Sequence, residues 1–166
     1  MKPPGFRAGA AIAAAFCAGL LGYGFWLQYG KGEVPCPLCY IQRGFYLLVF
    51  ATLAVAALHG PRGGGRVAYG LVAALFAAGG AATAARQVWL QHLPKDRVPA
   101  CGPDLFFMLD NFPLARVWQK LVQGSGECAE VGWTFLGLSI AEWSLACFAG
   151  LLFWSLWLAT RRERAR

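Results

Sequence analysis

The sequence predicts an all-α membrane protein: a four transmembrane helix bundle with a long periplasmic loop that carries a short amphipathic helix. Two observations lead to this prediction. The chain of 166 residues is 58% hydrophobic and only 14% charged, which is far from the usage of soluble domains. Four stretches also lack Asp, Glu, Lys and Arg, and each can cross about 30 Å of hydrocarbon as a helix. We therefore predict one domain, residues 1–166, with spans at about 8–27, 42–59, 67–86 and 143–160.

The first apolar stretch has the charge pattern of a signal peptide, because Lys2 and Arg7 precede it. It continues through the aromatic segment 22–27, however, and is longer than the apolar region of a usual signal peptide. Aromatic residues near its end suit a membrane interface. We therefore expect this stretch to be a retained helix.

Basic residues mark one side of the membrane. The two termini and the short loop at residues 59–66 carry eight Lys and Arg residues and a single acid, Glu163. The other seven acids lie in the two opposite loops, residues 28–41 and 91–142. The positive-inside rule then places both termini in the cytoplasm and both loops on the outer side of the membrane. The net charge of +7 follows from this topology and does not indicate a nucleic-acid partner.

The segment between Pro113 and Gly124 is predicted to be a short amphipathic helix. Proline suits a helix start and glycine suits a helix end. One helical face is apolar, and the opposite face carries Arg116 and Lys120. Such a helix can lie on the membrane or pack against the bundle, and the pattern leaves both open.

Four cysteines lie in the two periplasmic loops, in two pairs of different kinds. Cys36 and Cys39 form Cys-Pro-Leu-Cys, whose spacing closes a small ring, whereas Cys101 and Cys128 can meet only if the long loop folds back. Disulfides persist outside the cytoplasm. We therefore predict two different disulfides and electron transfer at a membrane surface. Two further cysteines lie within spans and are expected to serve packing only: Cys17 and Cys147.

Arg43 follows Cys39 by four residues, so the two share one helical face. A helix N-terminus favours a thiolate, and a nearby guanidinium favours it further. An arginine at the mouth of a span is costly without a partner. It can be a plain interface anchor, but beside Cys-Pro-Leu-Cys we favour a functional role.

Together these motifs resemble the DsbB family of disulfide-generating membrane proteins. The resemblance covers nearly the whole chain. It lies in Cys36-Pro-Leu-Cys39-Tyr-Ile-Gln42-Arg43, Cys101-Gly-Pro-Asp, Gly-Ser-Gly-Glu-Cys128-Ala-Glu and Trp133-Thr-Phe-Leu-Gly-Leu.

The resemblance implies a quinone-dependent dithiol oxidoreductase of the bacterial inner membrane. Such an enzyme reoxidises DsbA, a periplasmic thiol oxidase of thioredoxin fold, and passes the electrons to ubiquinone or menaquinone. By this resemblance Cys101 and Cys128 form the disulfide that DsbA attacks at Cys101, and Cys128 then exchanges with Cys36. Cys39 would pass electrons to the quinone, with Arg43 stabilising the negative charge. Two further residues are candidates for contacts with the quinone: Gln42 and His92.

Three rival interpretations share some of these features. The four loop cysteines could bind zinc, but an oxidising compartment and the lack of a second Cys-x-x-Cys motif argue against a metal. An enzyme similar to vitamin K epoxide reductase should carry its reactive motif near the end of a later span. The main alternative function is a non-enzymatic four-span scaffold whose loop disulfides are structural.

Overall fold

The structure, a computed structural model, describes residues 5–99 and 105–161. Six helices and a small hairpin make up most of this part of the chain. In chain order they are α1 (Phe6–Lys31), α2 (Pro37–His59), α3 (Gly64–Gln91), α4 (Leu105–Asn111), α5 (Leu114–Gln123), β1 (Thr134–Phe135), β2 (Leu138–Ser139) and α6 (Ile140–Thr160). Short 3₁₀ turns occupy Lys95–Arg97 and Gly126–Cys128.

Helices α1, α2, α3 and α6 are each long and apolar enough to cross a membrane. Their outer faces expose large apolar side chains along their length, among them Ile12, Leu58 and Phe153. Such a surface is unfavourable in water but matches the hydrocarbon of a bilayer. The chain is therefore a multi-pass, all-α membrane protein with four spans, which confirms the predicted fold class.

The four long helices extend beyond the apolar stretches that predict them. Helix α2 begins at Pro37, and α3 continues to Gln91, past the last residue of the charge-free stretch. Helical hydrogen bonding continues into the polar region because backbone groups are better paired than unpaired at a membrane surface. The α1–α2 connection and the long connection from α3 to α6 lie at the same end of the bundle, which we call the loop side. The extra turns place cysteines and amides there on rigid backbone.

Local sequence signals set the helix starts at the loop side. Cys36 is the extended N-cap residue of α2, and Pro37 follows at the first helical position, where a missing N–H is harmless. Helix α6 begins with a capping box in which Ser139 and Glu142 bond each other's backbone N–H groups. Both starts are therefore fixed by their own first turns.

Helices α2, α3 and α6 converge on Phe148, a fully buried residue of α6. Its ring stacks on Tyr46 of α2 with centroids 4.0 Å apart. On α3, Gly80 leaves the space for this ring, since a Cβ there would lie 2.2 Å from a ring carbon. Small residues thus let the helices approach closely, as the rows of Gly and Ala in the sequence predict.

The outer loop contains the predicted amphipathic helix as α5, which confirms that part of the fold class. It is followed by an element that the sequence analysis does not predict, the β1–β2 hairpin. The hairpin turns through Leu136 and Gly137, both with positive φ, as a tight two-residue turn requires. The Trp143 indole N–H donates to the Phe135 carbonyl at 3.0 Å and ties the hairpin to α6.

We predict that Gly80→Ala destabilises the protein by about 1–3 kcal/mol, because its methyl group would overlap the immobile ring of Phe148. Gly22→Ala is the matched control, since its Cβ would meet no atom within 4 Å. The free energy of unfolding in mixed detergent micelles measures both. Equal stability of the two variants would contradict the tight packing at Phe148.

Candidate functional site

The Cys-Pro-Leu-Cys motif forms the first turn of α2. The Cys39 backbone N–H donates to the Cys36 carbonyl at 2.9 Å, and the two Sγ atoms lie 3.1 Å apart. Cys36 is buried and Cys39 is half-buried. Because the turn is held by α2 itself, the two sulfurs keep a short and fixed separation.

A third cysteine, Cys128, lies against this pair. It ends the 3₁₀ turn Gly126–Cys128, is 0% exposed, and packs in one cluster with Cys36, Leu38 and Leu90. Gly124 has a φ of +75°, and a Cβ there would lie 2.5 Å from a methyl carbon of Leu90. A glycine at this position therefore lets the loop approach Leu90 closely. The loop thereby brings Cys128 into hydrogen-bonding contact with Cys36.

The contact shifts the two loop thiols in opposite directions. The Cys36 thiol donates to Cys128, and this hydrogen bond is the main cause that lowers the pKa of Cys128 to about 6. The same contact, together with Cys39 and burial, raises the pKa of Cys36 far above its ordinary value. The contact therefore favours the thiolate at Cys128 and the thiol at Cys36.

The predicted partner of Cys128 in the loop, Cys101, lies outside the described residues. The structure thus brings together three of the four predicted redox cysteines: Cys36, Cys39 and Cys128. Within residues 5–99 and 105–161, no group of three or more His, Cys, Asp and Glu side chains could hold a metal ion.

Gln87 is a site residue that the sequence analysis misses. It lies on the last turns of α3, is 4% exposed, and its Nε2 lies 3.4 Å from each of the Cys36 and Cys39 sulfurs. Its Oε1 accepts from Nε2 of Gln42, another buried amide, at 2.7 Å. A usable signal was the spacing of Gln87 and Gln91, which places two amides on one helical face.

Arg43 lies one turn beyond Cys39 and is half-buried. Its guanidinium donates to the Gln28 side chain and, at 2.9 Å, to the Gly24 carbonyl of α1. The ring of Phe25 lies 5.1 Å from its Cζ. Among the described residues no carboxylate forms an ion pair with Arg43. The arginine is therefore held by neutral groups of α1, and its positive charge has no ion-pair partner among the described residues.

A cavity of about 520 Å³ lies between α1 and α6 and reaches the start of α2. Its polar wall contains Cys39, Gln42, Arg43 and Gln87. Four aromatic residues form another part of the wall: Tyr23, Trp133, Phe135 and Trp143. Volume and lining suit a flat, mostly apolar molecule that carries hydrogen-bond acceptors.

His92, the remaining predicted contact residue, lies outside this cavity. It is exposed, and its Nδ1 is 2.9 Å from the Val88 carbonyl of its own helix. The position follows from helical phase, because one residue further along α3 turns the side chain about 100° away from the face that holds Gln91.

Comparison with known proteins adds the family. Residues 6–158 match the sequence profile described as Disulfide bond formation protein DsbB. A relative from Chromobacterium violaceum is 46% identical over 158 residues, which cover 95% of each chain. A relative from Hahella chejuensis is 50% identical over 149 residues, which cover 90% of this chain and 89% of the relative.

Both relatives carry the name Disulfide bond formation protein B, as does one from Methylococcus capsulatus. The last is 44% identical over 164 residues, which cover 97% of this chain and all of the relative. The resemblance of the cysteine motifs is thereby confirmed over the full bundle. The chain belongs to the DsbB family of disulfide bond formation proteins.

Proposed function

We propose that the protein oxidises the dithiol of a soluble DsbA-like partner of thioredoxin fold and passes the electrons to a membrane quinone. One observation carries this proposal. The three sulfurs form a chain in which Cys128 contacts Cys36, Cys36 contacts Cys39, and Cys39 lines a cavity beside Arg43. Such a chain can carry thiol exchange from the loop to an acceptor in the cavity.

The relay begins at the loop pair, Cys101 and Cys128. A partner thiolate attacks Cys101 Sγ, the Cys101–Cys128 bond breaks, and Cys128 leaves as a thiolate. The second partner thiol then attacks its own mixed-disulfide sulfur, so that the partner gains a disulfide and Cys101 becomes a thiol. The two electrons that are released when the partner disulfide forms are now held by the loop pair, with Cys101 and Cys128 both reduced.

The second exchange joins the loop to α2. With Cys36 and Cys39 in the disulfide form, the Cys128 thiolate attacks Cys36 Sγ and Cys39 leaves as a thiolate. Cys101 then attacks Cys128, which restores the loop disulfide and leaves Cys36 and Cys39 reduced. Cys36 cannot donate to Cys128 while it is in a disulfide, but hydrogen bonds from the Leu38 backbone and from Ser125 also lower the pKa of Cys128. They support this step, because the thiolate is the attacking species.

The residues around the cavity fit a quinone. A quinone supplies a two-electron acceptor that takes up two protons when the Cys36–Cys39 disulfide forms again. Cys39 lies in the first turn of α2, where the helix dipole favours its thiolate. Arg43 and Gln42 would bind the polar edge of the ring, and the aromatic wall would contact its faces. Ubiquinone and menaquinone share this chemistry. His92 takes no part in the proposed site.

Energetics require that the loop disulfide be a stronger oxidant than an ordinary disulfide, or that reduction of the quinone pull the exchange forward. A structural disulfide has a potential below about −300 mV, whereas DsbA is near −120 mV, so an ordinary disulfide would oxidise DsbA at a cost of roughly 8 kcal/mol. Groups that stabilise the thiolates of a reduced cysteine pair raise the reduction potential of its disulfide. The hydrogen bond to Cys128 and the position of Cys39 at a helix N-terminus both act in that direction.

We further propose that the protein resides in the bacterial inner membrane with both termini in the cytoplasm. Basic residues concentrate at the end of the bundle opposite the cysteines, which supports this orientation. The loop side then faces the periplasm, where a soluble oxidase can reach it.

The central test is quinone reduction by the purified protein with a reduced thioredoxin-fold partner, followed by the ultraviolet absorbance of the quinone. Cys36→Ser and Cys39→Ser should each reduce turnover to background, because either change breaks the chain of sulfurs. Cys17→Ala is the matched control, since this buried cysteine lies outside the cavity. No turnover in the wild-type protein would favour the scaffold interpretation, and turnover by Cys39→Ser would show that Cys39 does not pass the electrons to quinone.

Arg43→Ala should lower kcat/KM for quinone by about ten- to hundredfold, through a higher KM, a lower kcat, or both. A hydrogen bond to a charged group is worth about 1.5–3 kcal/mol, which sets this range. Arg43→Lys should recover only part, because the ammonium lacks the planar fork. Arg86→Ala serves as control, since Arg86 packs over Trp89 and lies outside the cavity. Wild-type kinetics in Arg43→Ala would make Arg43 an interface anchor only.

The reduced protein should show a Cys128 thiolate that forms with a midpoint near pH 6. Because this pKa is lowered, the nucleophile is present above pH 6 and lost below it. Cys36→Ala removes the donor and should shift the midpoint toward about 8.5. The thiolate absorbance of each protein, minus that of the same protein with Cys128→Ala, measures the midpoint. An unchanged midpoint in Cys36→Ala would show that Cys36 does not stabilise the thiolate.

A further inference from the structure

The buried amide of Gln87 lies against the two sulfurs of the Cys-Pro-Leu-Cys motif and has one donor hydrogen for each of them. Its Nε2 carries two hydrogens, and it lies 3.4 Å from the sulfur of Cys36 and 3.4 Å from that of Cys39. Both distances are within the range of hydrogen bonds to sulfur. One amide can therefore donate to both cysteines at once.

The orientation of this amide is fixed by a second one. Gln42 is 5% exposed, and its Nε2 donates to Oε1 of Gln87 at 2.7 Å. The carbonyl end of Gln87 is thus directed toward Gln42 and its NH₂ end toward the sulfurs. Rotation of the Gln87 amide by half a turn would break this hydrogen bond and point an acceptor at the two sulfurs.

We propose that Gln87 is a positioning residue whose NH₂ group stabilises the reduced, thiolate form of the Cys36–Cys39 pair, and that Gln42 acts through it by fixing its orientation. This inference rests on the proposed function, because it assigns a role in setting the potential of that pair. Stabilising the reduced form makes the disulfide form a stronger oxidant, which lowers the free-energy cost of oxidising the partner.

A neutral amide is suited to this place for two reasons. An isolated ammonium or guanidinium buried to the same degree would carry a large desolvation cost, whereas an amide carries a small one. The amide also serves both protonation states of Cys39, since the thiolate accepts from Nε2 and the thiol can donate to Oε1 at 3.7 Å. Gln87 therefore keeps a partner for Cys39 before and after proton loss.

The test measures the pair without quinone or partner. Full-length protein carrying Cys101→Ala and Cys128→Ala is purified in detergent, freed of quinone and equilibrated in glutathione redox buffers. Trapping with an alkylating agent and mass spectrometry then give the fraction of the Cys36–Cys39 disulfide. The rate of Cys39 alkylation at pH 7 is measured on the reduced form.

Gln87→Leu should shift the thiol–disulfide equilibrium toward the disulfide by about tenfold, equivalent to about 30 mV, because the reduced pair loses its donor. Alkylation of Cys39 should slow by a similar factor. Gln87→Glu keeps the length of the side chain but replaces the donor with an acceptor, so both effects should be at least as large. This second variant keeps the test decisive if the leucine variant folds poorly.

Thr83→Val is the matched control, one turn earlier on α3. Its hydroxyl bonds the Gly80 carbonyl and does not line the cavity, so neither quantity should change. Gln42→Leu should weaken the effect of Gln87 and add nothing in a Gln87→Leu background, which a double-mutant cycle resolves.

Wild-type equilibrium and alkylation rate in both Gln87 variants would overturn the assignment. Fully additive losses for the Gln42 and Gln87 changes would overturn the role of Gln42. Neither readout depends on electron transfer to quinone, so a failure of the proposed function and a failure of this inference give different results.

Discussion

The close approach of α3 to α2 and α6 is the constraint on which the site depends. Gly79 and Gly80 lie where added Cβ atoms would overlap the rings of Phe45 and Phe148, so the three helices meet at that level. Two turns further along α3 come Gln87 and then Leu90. Gln87 contacts the cysteine sulfurs at the start of α2, and Leu90 packs against the turn that contains Cys128. A wider spacing of α3 would remove both contacts together.

Polar groups within this apolar bundle are satisfied mainly by neutral partners. The Gln42 and Gln87 amides bond each other, and the Arg43 guanidinium bonds an amide oxygen and a backbone carbonyl of α1. Neutral acceptors keep the arginine in place without cancelling its charge. A carboxylate would hold it more strongly but would cancel its positive potential. The neutral partners thus leave the positive charge of Arg43 at the wall of the cavity.

Much of the fold follows from the sequence, and the limits of prediction have physical causes. Charge-free stretches predict the four spans, and Cys-x-x-Cys with arginine four residues later predicts a shared face of α2, because both signals are local. The contact of Cys128 with Cys36 depends on how a long loop folds back, which periodicity does not encode. Gln87 is hidden because a search for charge-free stretches ignores neutral polar residues at helix ends. The resemblance makes His92 a candidate by its place along the chain, but helical phase turns its side chain away from the cavity.

Burial of the sulfurs adds selectivity to their reactivity. Cys128 is 0% and Cys36 7% exposed, so small thiols from solution cannot readily reach these two sulfurs. Thiol exchange requires access as well as a thiolate. Among the described cysteines Cys128 contacts Cys36, so burial restricts a Cys128 thiolate to this neighbour, although its low pKa would favour reaction with many disulfides if it were exposed. The turn that contains Cys128 packs against Leu38 and Leu90 and also covers Cys36. This one packing contact therefore both brings the two sulfurs together and shields them from solvent.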